Sequence, residues 1–137
     1  MAPVIWQPNR TAVPPPWPVP PLFTAIGRGV RGMCPACGEA RAFGRFLKIV
    51  PVCPACSAPL GTARADDAPP YFTIVLVGHI VIPLILLLQN VFTDWELTAI
   101  FLPLTAALCL ALLQPIKGAV LGVMVTFGML TKPEPAE

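Results

Sequence analysis

The chain has 137 residues, of which 55% are hydrophobic, 12% are charged and 19 are proline, with a formal charge of +2. A soluble globular chain carries roughly 25% charged residues and roughly 5% proline, so this composition excludes an ordinary soluble domain. The length allows one modest domain or two small pieces, and so weak a net charge carries no signal for nucleic acid.

The distribution says more than the totals. Seven of the nine Lys and Arg and four of the five cysteines fall within residues 1–70, whereas residues 72–92 and 97–130 hold only Lys117 as a formal charge. The division predicts a small polar head on a membrane-embedded tail. The expected fold class is membrane α: a two-helix transmembrane hairpin, a small N-terminal Cys₄ zinc-ribbon head rich in β structure, and a short C-terminal apolar helix at the cytoplasmic interface.

Residues 1–27 read as an extended, Pro-rich arm. The run from Pro14 to Pro21 contains only Trp17 and Val19 besides proline. Proline fixes φ and lacks an N–H, so the run favours polyproline II over helix or central strand. It lacks the uninterrupted apolar core of a signal peptide. Such a segment is a flexible arm or a docking strand for a partner, with Trp17 as an anchor.

Residues 28–64 hold Cys34-Pro-Ala-Cys37 and Cys53-Pro-Ala-Cys56, separated by 15 residues. Two CxxC knuckles at this spacing point to a tetrahedral Cys₄ metal site. Gly38 can take the left-handed conformation that turns backbone N–H groups toward the sulfurs. Ser57 stands at the matching place in the second knuckle, which is expected to be less regular. Between the knuckles, Ala42 to Val52, with Phe43, Phe46, Leu47, Ile49 and Val50, would supply the ribbon strands. Two disulfides are the alternative, and a reducing cytoplasm argues against them. A head of this size also needs a metal to fold. Zinc is the expected ion, and iron in a rubredoxin-like site is the rival. Four thiolates leave no open coordination position, so the ion should be structural.

Residues 65–71 are an acidic, proline-stopped junction. Asp66 and Asp67 could cap the first helix or receive a partner's arginine. Residues 72–92 are the first expected transmembrane helix, 93–96 the outer loop and 97–114 the second helix. Each helix is apolar all round, unlike a helix of a soluble hairpin. Residues 115–137 should form an interfacial helix and a polar tail, bent away at Pro115 and Gly118. Gly118, Gly122 and Gly128 would allow close backbone approach there. Seven positive charges precede the first helix and the outer loop has none, so both termini should be cytoplasmic.

His79 is the only histidine, roughly 12 Å below the cytoplasmic edge. An ionisable group at that depth invites a functional reading. It could be a neutral ring hydrogen-bonded within the hairpin, a haem or copper ligand, or a contact to another membrane protein. Pro83 cannot donate to its carbonyl. An antiparallel hairpin that leaves the membrane at Gln114 would bring Thr105 level with His79. Cys109 reads as a small packing residue.

Arg28-Gly-Val-Arg31-Gly-Met-Cys-Pro-Ala-Cys-Gly, the second Cys-Pro-Ala-Cys, Ala65-Asp-Asp-Ala-Pro-Pro-Tyr-Phe72 and Gly78-His79 together resemble domain-of-unknown-function family 983, small bacterial membrane proteins. The resemblance runs from about Gly27 to Gly118, with Ser57 departing from the family's usual glycine. It implies no established activity. It does imply the bacterial inner membrane, and a place near haem-copper cytochrome oxidase or its assembly factors. The expected function is therefore a non-enzymatic accessory or assembly protein with an integral membrane partner. A metal- or haem-handling carrier using His79 and Cys109 and an Fe(Cys)₄ redox protein are alternatives. A membrane-tethered regulatory or nucleic-acid-binding ribbon is another, although the head lacks a dense basic stripe.

Overall fold

A computed structural model describes residues 15–63 and 68–130, and the chain is mostly helical. The helices are α1 (Leu22–Val30), α2 (Ala68–Leu88) and α3 (Asp94–Thr126), with a 3₁₀ turn at Leu60–Thr62 closing the cysteine-bearing segment.

Helix α1 falls where the arm was expected to be extended. The proline run ends at Pro21, and the next residues form helix as soon as the missing donors end. Ala25 and Gly29 lie on its inner face and are buried. Phe23 on its outer face is 87% exposed.

The strand-rich ribbon is not present among the described residues. The segment between α1 and α2 has two isolated antiparallel bridges, Met33 with Arg41 and Phe43 with Ile49. The reason is local. Each bridge is a single rung: Cys34 N–H donates to the Ala40 carbonyl (2.7 Å) and Ala42 N–H to the Gly32 carbonyl (2.9 Å) to make the first, and the knuckle turn between Cys34 and Ala40 keeps it from lengthening. A tight turn then reverses the chain after one rung, with Gly44 N–H on the Lys48 carbonyl (2.9 Å).

Helices α2 and α3 form the hairpin. Helix α2 starts four residues before the expected 72, because Pro69 and Pro70 occupy its first turn, where an N–H has no helical partner anyway. It ends at Leu88. The chain reverses through residues 89–93, and Thr93 begins α3. The Glu96 carboxylate accepts from the Thr93 N–H (2.9 Å) and hydroxyl (2.8 Å), tying down the helix start. Tyr71 lies at one end of the hairpin, and Phe92 and Trp95 at the other, all exposed.

The largest departure from the sequence reading is α3. It is one helix of 33 residues, with Pro103 and Pro115 inside it, and not a span to 114 followed by a separate interfacial helix. Pro115 withholds one hydrogen bond, from the Ala111 carbonyl, yet the tertiary packing beyond it holds the helix together. Gly128, with φ +67°, ends the helix. Met129 N–H reaches back to the Met124 carbonyl (2.9 Å) and Gly128 N–H to Val125 (3.3 Å), the paired bonds of a Schellman turn.

Two separate cores result. Val77 and Val81 of α2 meet Leu97 and Phe101 of α3 in the hairpin seam, with half-buried Cys109 packed on them. The second core joins the head to α3: Cys34, Cys53, Ala58 and Leu60 pack with Leu121 and Val125. Thus the head is not hung on a linker but built against the last turns of α3. Much of the hairpin's remaining surface is exposed apolar side chain, including Ile74, Ile82, Leu87 and Leu102.

Candidate metal centre

The four knuckle cysteines converge. Their sulfurs all lie within 4.8 Å of one another. Across the knuckles, Cys34 Sγ and Cys56 Sγ are 3.8 Å apart, as are Cys37 Sγ and Cys53 Sγ. A tetrahedron with metal–sulfur bonds of about 2.3 Å has edges of about 3.8 Å. The donor set and its spacing fit a metal ion such as zinc, which would link the two knuckles when bound. None of the five cysteines is in a disulfide.

Each knuckle is shaped by its own backbone. Gly38 N–H donates to the Cys34 carbonyl (2.8 Å) and Ser57 N–H to the Cys53 carbonyl (2.9 Å). Gly38 has φ +77° and Ser57 φ +59°, so the serine takes the same left-handed turn as the glycine. The expected irregularity is confined to length: Cys34 is closed by Ala40, six residues on, and Cys53 by Ala58, five residues on. The Glu39 N–H points at Cys37 Sγ (3.5 Å).

The thiols differ in acidity. Burial pushes Cys34 far above the ordinary thiol value. Burial likewise raises Cys56, to about 11. For Cys37 burial also acts upward, but the backbone N–H groups of Glu39 and Ala40 and the neighbouring thiols outweigh it and bring the thiol down to about 7. Cys34 and Cys53 are buried, whereas Cys37 and Cys56 are half-exposed.

Helix α1 completes the setting, a role the sequence reading gave to no residue. Arg28 sends Nη1 to the Ala36 carbonyl inside the first knuckle (2.9 Å). The same side chain lies over Gly38, where a Cβ would come within 2.7 Å of Nε. On the other face, Gly29 meets Gly118 of α3 backbone to backbone, and a Cβ on Gly122 would stand 2.7 Å from the Ala25 carbonyl oxygen. Gly118 and Gly122 thus serve the close approach expected of them, and Gly128 serves the helix end instead. The usable signal was a pair of small residues four apart in each segment, Ala25 with Gly29 and Gly118 with Gly122.

The remaining candidates do not join this site. Trp17 is half-buried and packs against the head's own core. Asp66 and Asp67 lie outside the described residues. His79 is exposed, and its ring Nδ1 is 2.8 Å from the Val75 carbonyl oxygen. It lines a groove with Val75, Leu76 and Ile116, whereas Thr105 lines another with Ile85 and Phe101. The expected His79–Thr105 pairing is therefore absent. A helical side chain leans toward its own N-terminus, so the ring reaches back one turn and shares its groove with the part of α3 beyond Gln114. Cys109 is in the hairpin seam and not in the His79 groove.

Two helices long and apolar enough to cross a membrane, Pro69–Leu88 and Asp94–Thr126, joined to a four-cysteine cluster, define a membrane-type helical hairpin with a head that could hold a metal ion. The profile of a family described as protein of unknown function (DUF983) matches residues 43–125, more than half of the chain, and the chain belongs to that family. The match takes in the second knuckle, all of α2 and nearly all of α3. It begins after the first knuckle and extends past Gly118, so it is displaced from the boundaries read off the motifs. No curated protein and no solved structure matches the chain.

Proposed function

We propose that the chain is a non-enzymatic, membrane-anchored accessory or assembly protein whose zinc-bound head is held rigidly against a two-pass hairpin. The observation that carries this reading is the shared core: Leu121 and Val125 of α3 belong to the same buried cluster as the cysteines Cys34 and Cys53. A metal there would fix the shape of a protein surface at the membrane boundary. Four thiolates occupy every position of a tetrahedral ion, which suits a structural and not a reactive role.

In this reading the hairpin lies in a bacterial inner membrane with both termini cytoplasmic, supported by the seven positive charges before α2 and none between Leu88 and Asp94. The partner is an integral membrane protein. Cytochrome oxidase, or the machinery that assembles it, is proposed as that partner on the family resemblance alone. Purification of the full chain from membranes in mild detergent tests the reading. One zinc per chain and a stoichiometric membrane protein in the same fraction are expected. Iron with visible absorbance would favour the redox alternative. A chain that purifies alone would end the accessory reading.

A further inference from the structure

We infer that the turn at residues 44–48 is a lipid-docking tip: Phe46 enters the interfacial layer of the membrane, while Arg45 and Lys48 bind anionic lipid headgroups. The inference rests on the membrane-anchored reading above and gives the head a second attachment to the bilayer, separate from the hairpin.

The tip is held in a fixed shape. Phe43 and Ile49 form the bridge at its base, and Phe43 is buried. Two hydrogen bonds close the turn, from Gly44 N–H to the Lys48 carbonyl (2.9 Å) and from Lys48 N–H to the Arg45 carbonyl (3.2 Å). Within it Phe46 is 54% exposed, and Arg45 and Lys48 on either side are exposed too. An aromatic ring between two cations suits the headgroup layer, where the ring lies against the acyl ends and the cations meet phosphate.

The head's packing puts this turn at the membrane edge. Ala42 N–H donates to the Gly32 carbonyl (2.9 Å), and a Cβ on Gly32 would lie 3.8 Å from Phe43 Cδ2 and 3.9 Å from Gln114 Nε2. Helix α1 runs antiparallel to α3, with Ala25 at Gly122 and Gly29 at Gly118. The Gly32–Phe43 edge is therefore the part of the head nearest the hairpin. The start of α2 runs beside the same stretch of α3, since Phe72 shares a groove with Ile116 and Ala119. The edge that carries the tip thus stands level with the place where α2 enters the membrane.

Charge selects the occupant. Residues 15–63 hold five basic side chains and one acidic one, Glu39. Arg28 is turned inward to the Ala36 carbonyl, whereas Arg31, Arg41, Arg45 and Lys48 are exposed. Arg31 and Arg41 adjoin the bonded pair Gly32 and Ala42, on the same edge as the tip. Like charges gathered on one edge favour an anionic surface opposite them. The hairpin keeps that edge beside a bilayer, so headgroups meet it at high effective concentration and an acidic protein would have to displace them.

The test is photocrosslinking of the full, zinc-loaded chain in vesicles of mixed phosphatidylglycerol and phosphatidylcholine. A photoreactive phenylalanine analogue replaces Phe46 or, for comparison, exposed Thr24 at the Gly122 end of α1. Phe46 should give phospholipid adducts enriched in phosphatidylglycerol, and Thr24 few. Arg45→Gln with Lys48→Gln should lower the yield at least tenfold, on the order of fivefold per charge, at unchanged zinc content and melting temperature. Arg45→Lys with Lys48→Arg, which keeps both charges, should leave it unchanged. Equal yields from the two positions overturn the inference, as does a yield indifferent to lipid charge and to the glutamine pair. So does a protein adduct in place of lipid when the same analogue is used in intact cells. A chain that inserts into the vesicles but gives no adduct from Phe46 defeats the tip alone. A chain that does not insert defeats the membrane-anchored reading with it.

Discussion

Gly29 of α1 and Gly118 of α3 are in backbone contact, and a Cβ on either would collide with the other's carbonyl. This contact decides where the head sits. Gly118→Val should force α1 off α3 at a cost of at least about 3 kcal/mol, above the usual range for overpacking because the obstacle is backbone and cannot turn aside. Limited trypsin digestion at Arg28 and Arg31 is the measurement, and cleavage should accelerate while the hairpin stays in the membrane. Gly27→Ala, with nothing within 4 Å of the new Cβ, is the control and should leave cleavage unchanged.

The knuckle turns give an opposed pair. Gly38 and Ser57 both have positive φ, which costs a non-glycine residue roughly 1–2 kcal/mol. Gly38→Ala should therefore destabilise the head by about that amount, and more because its Cβ displaces Arg28 from the Ala36 carbonyl. Ser57→Gly should stabilise it by up to about 1 kcal/mol, after the extra chain entropy of glycine is subtracted. Thermal melts of the metal-loaded protein in detergent should move in opposite directions for the two variants.

Much of this arrangement was legible in the sequence. The CxxC spacing located the four sulfurs because each knuckle is a local structure. The apolar runs located the hairpin because helices in lipid must be apolar all round. What the sequence hid was tertiary. Pro115 and Gly118 looked like a break, since proline removes a donor and glycine weakens a helix. Yet Gly118 is there to admit α1, and that packing holds α3 together through the proline. Helix α1 was hidden by the prolines before it, and Thr93 with Glu96, a readable helix start, was assigned to the loop. The His79 level was misjudged because it was counted from an assumed end of α3 at Gln114.

Proton competition at the cysteines should make metal affinity strongly dependent on pH. Metal binds thiolates. Cys34 and Cys56 are pushed up by burial, so at neutral pH both hold protons that the ion must expel. Affinity should then rise with pH by at least about a hundredfold per unit, one factor of ten for each proton released. Below about 7 the Cys37 thiol also protonates and the dependence should steepen. Competition against a chelating indicator between pH 6 and 8.5 measures the slope. A flat profile would mean that the cysteines are not the ligands.

Metal removal should be felt beyond the cysteines. Leu121 and Val125 are buried on the head's core, and α1 is tied to the first knuckle through Arg28. Cys34→Ser, or chelation of the wild type, should loosen the knuckles, release α1 and expose the last turns of α3. The α2–α3 seam of Val77, Val81, Leu97 and Phe101 does not touch the site and should persist. Hydrogen exchange in detergent is expected to show lost protection at 22–63 and 118–126 with unchanged protection at 75–85. A variant that no longer reached the membrane would contradict the independence of the hairpin.

The orientation follows from the same geometry joined to the charges. Tyr71 opens α2 and Trp95 opens α3, at opposite ends of the hairpin, where amphipathic rings favour the headgroup layer. The head and α1, packed on α3 near Gly118 and Gly122, lie at the Tyr71 end and carry Arg28, Arg31, Arg41, Arg45 and Lys48. The turn at 89–93 carries no Lys or Arg. Positive segments stay on the cytoplasmic side, so the turn should face outward. Cysteines introduced at exposed Asn90 and exposed Lys48 test this with a membrane-impermeant thiol reagent in intact cells. Asn90→Cys should be labelled at once, and Lys48→Cys only after the membrane is permeabilised. The opposite result would place the Cys₄ head in an oxidising compartment, where the same four thiols would be expected to pair as disulfides.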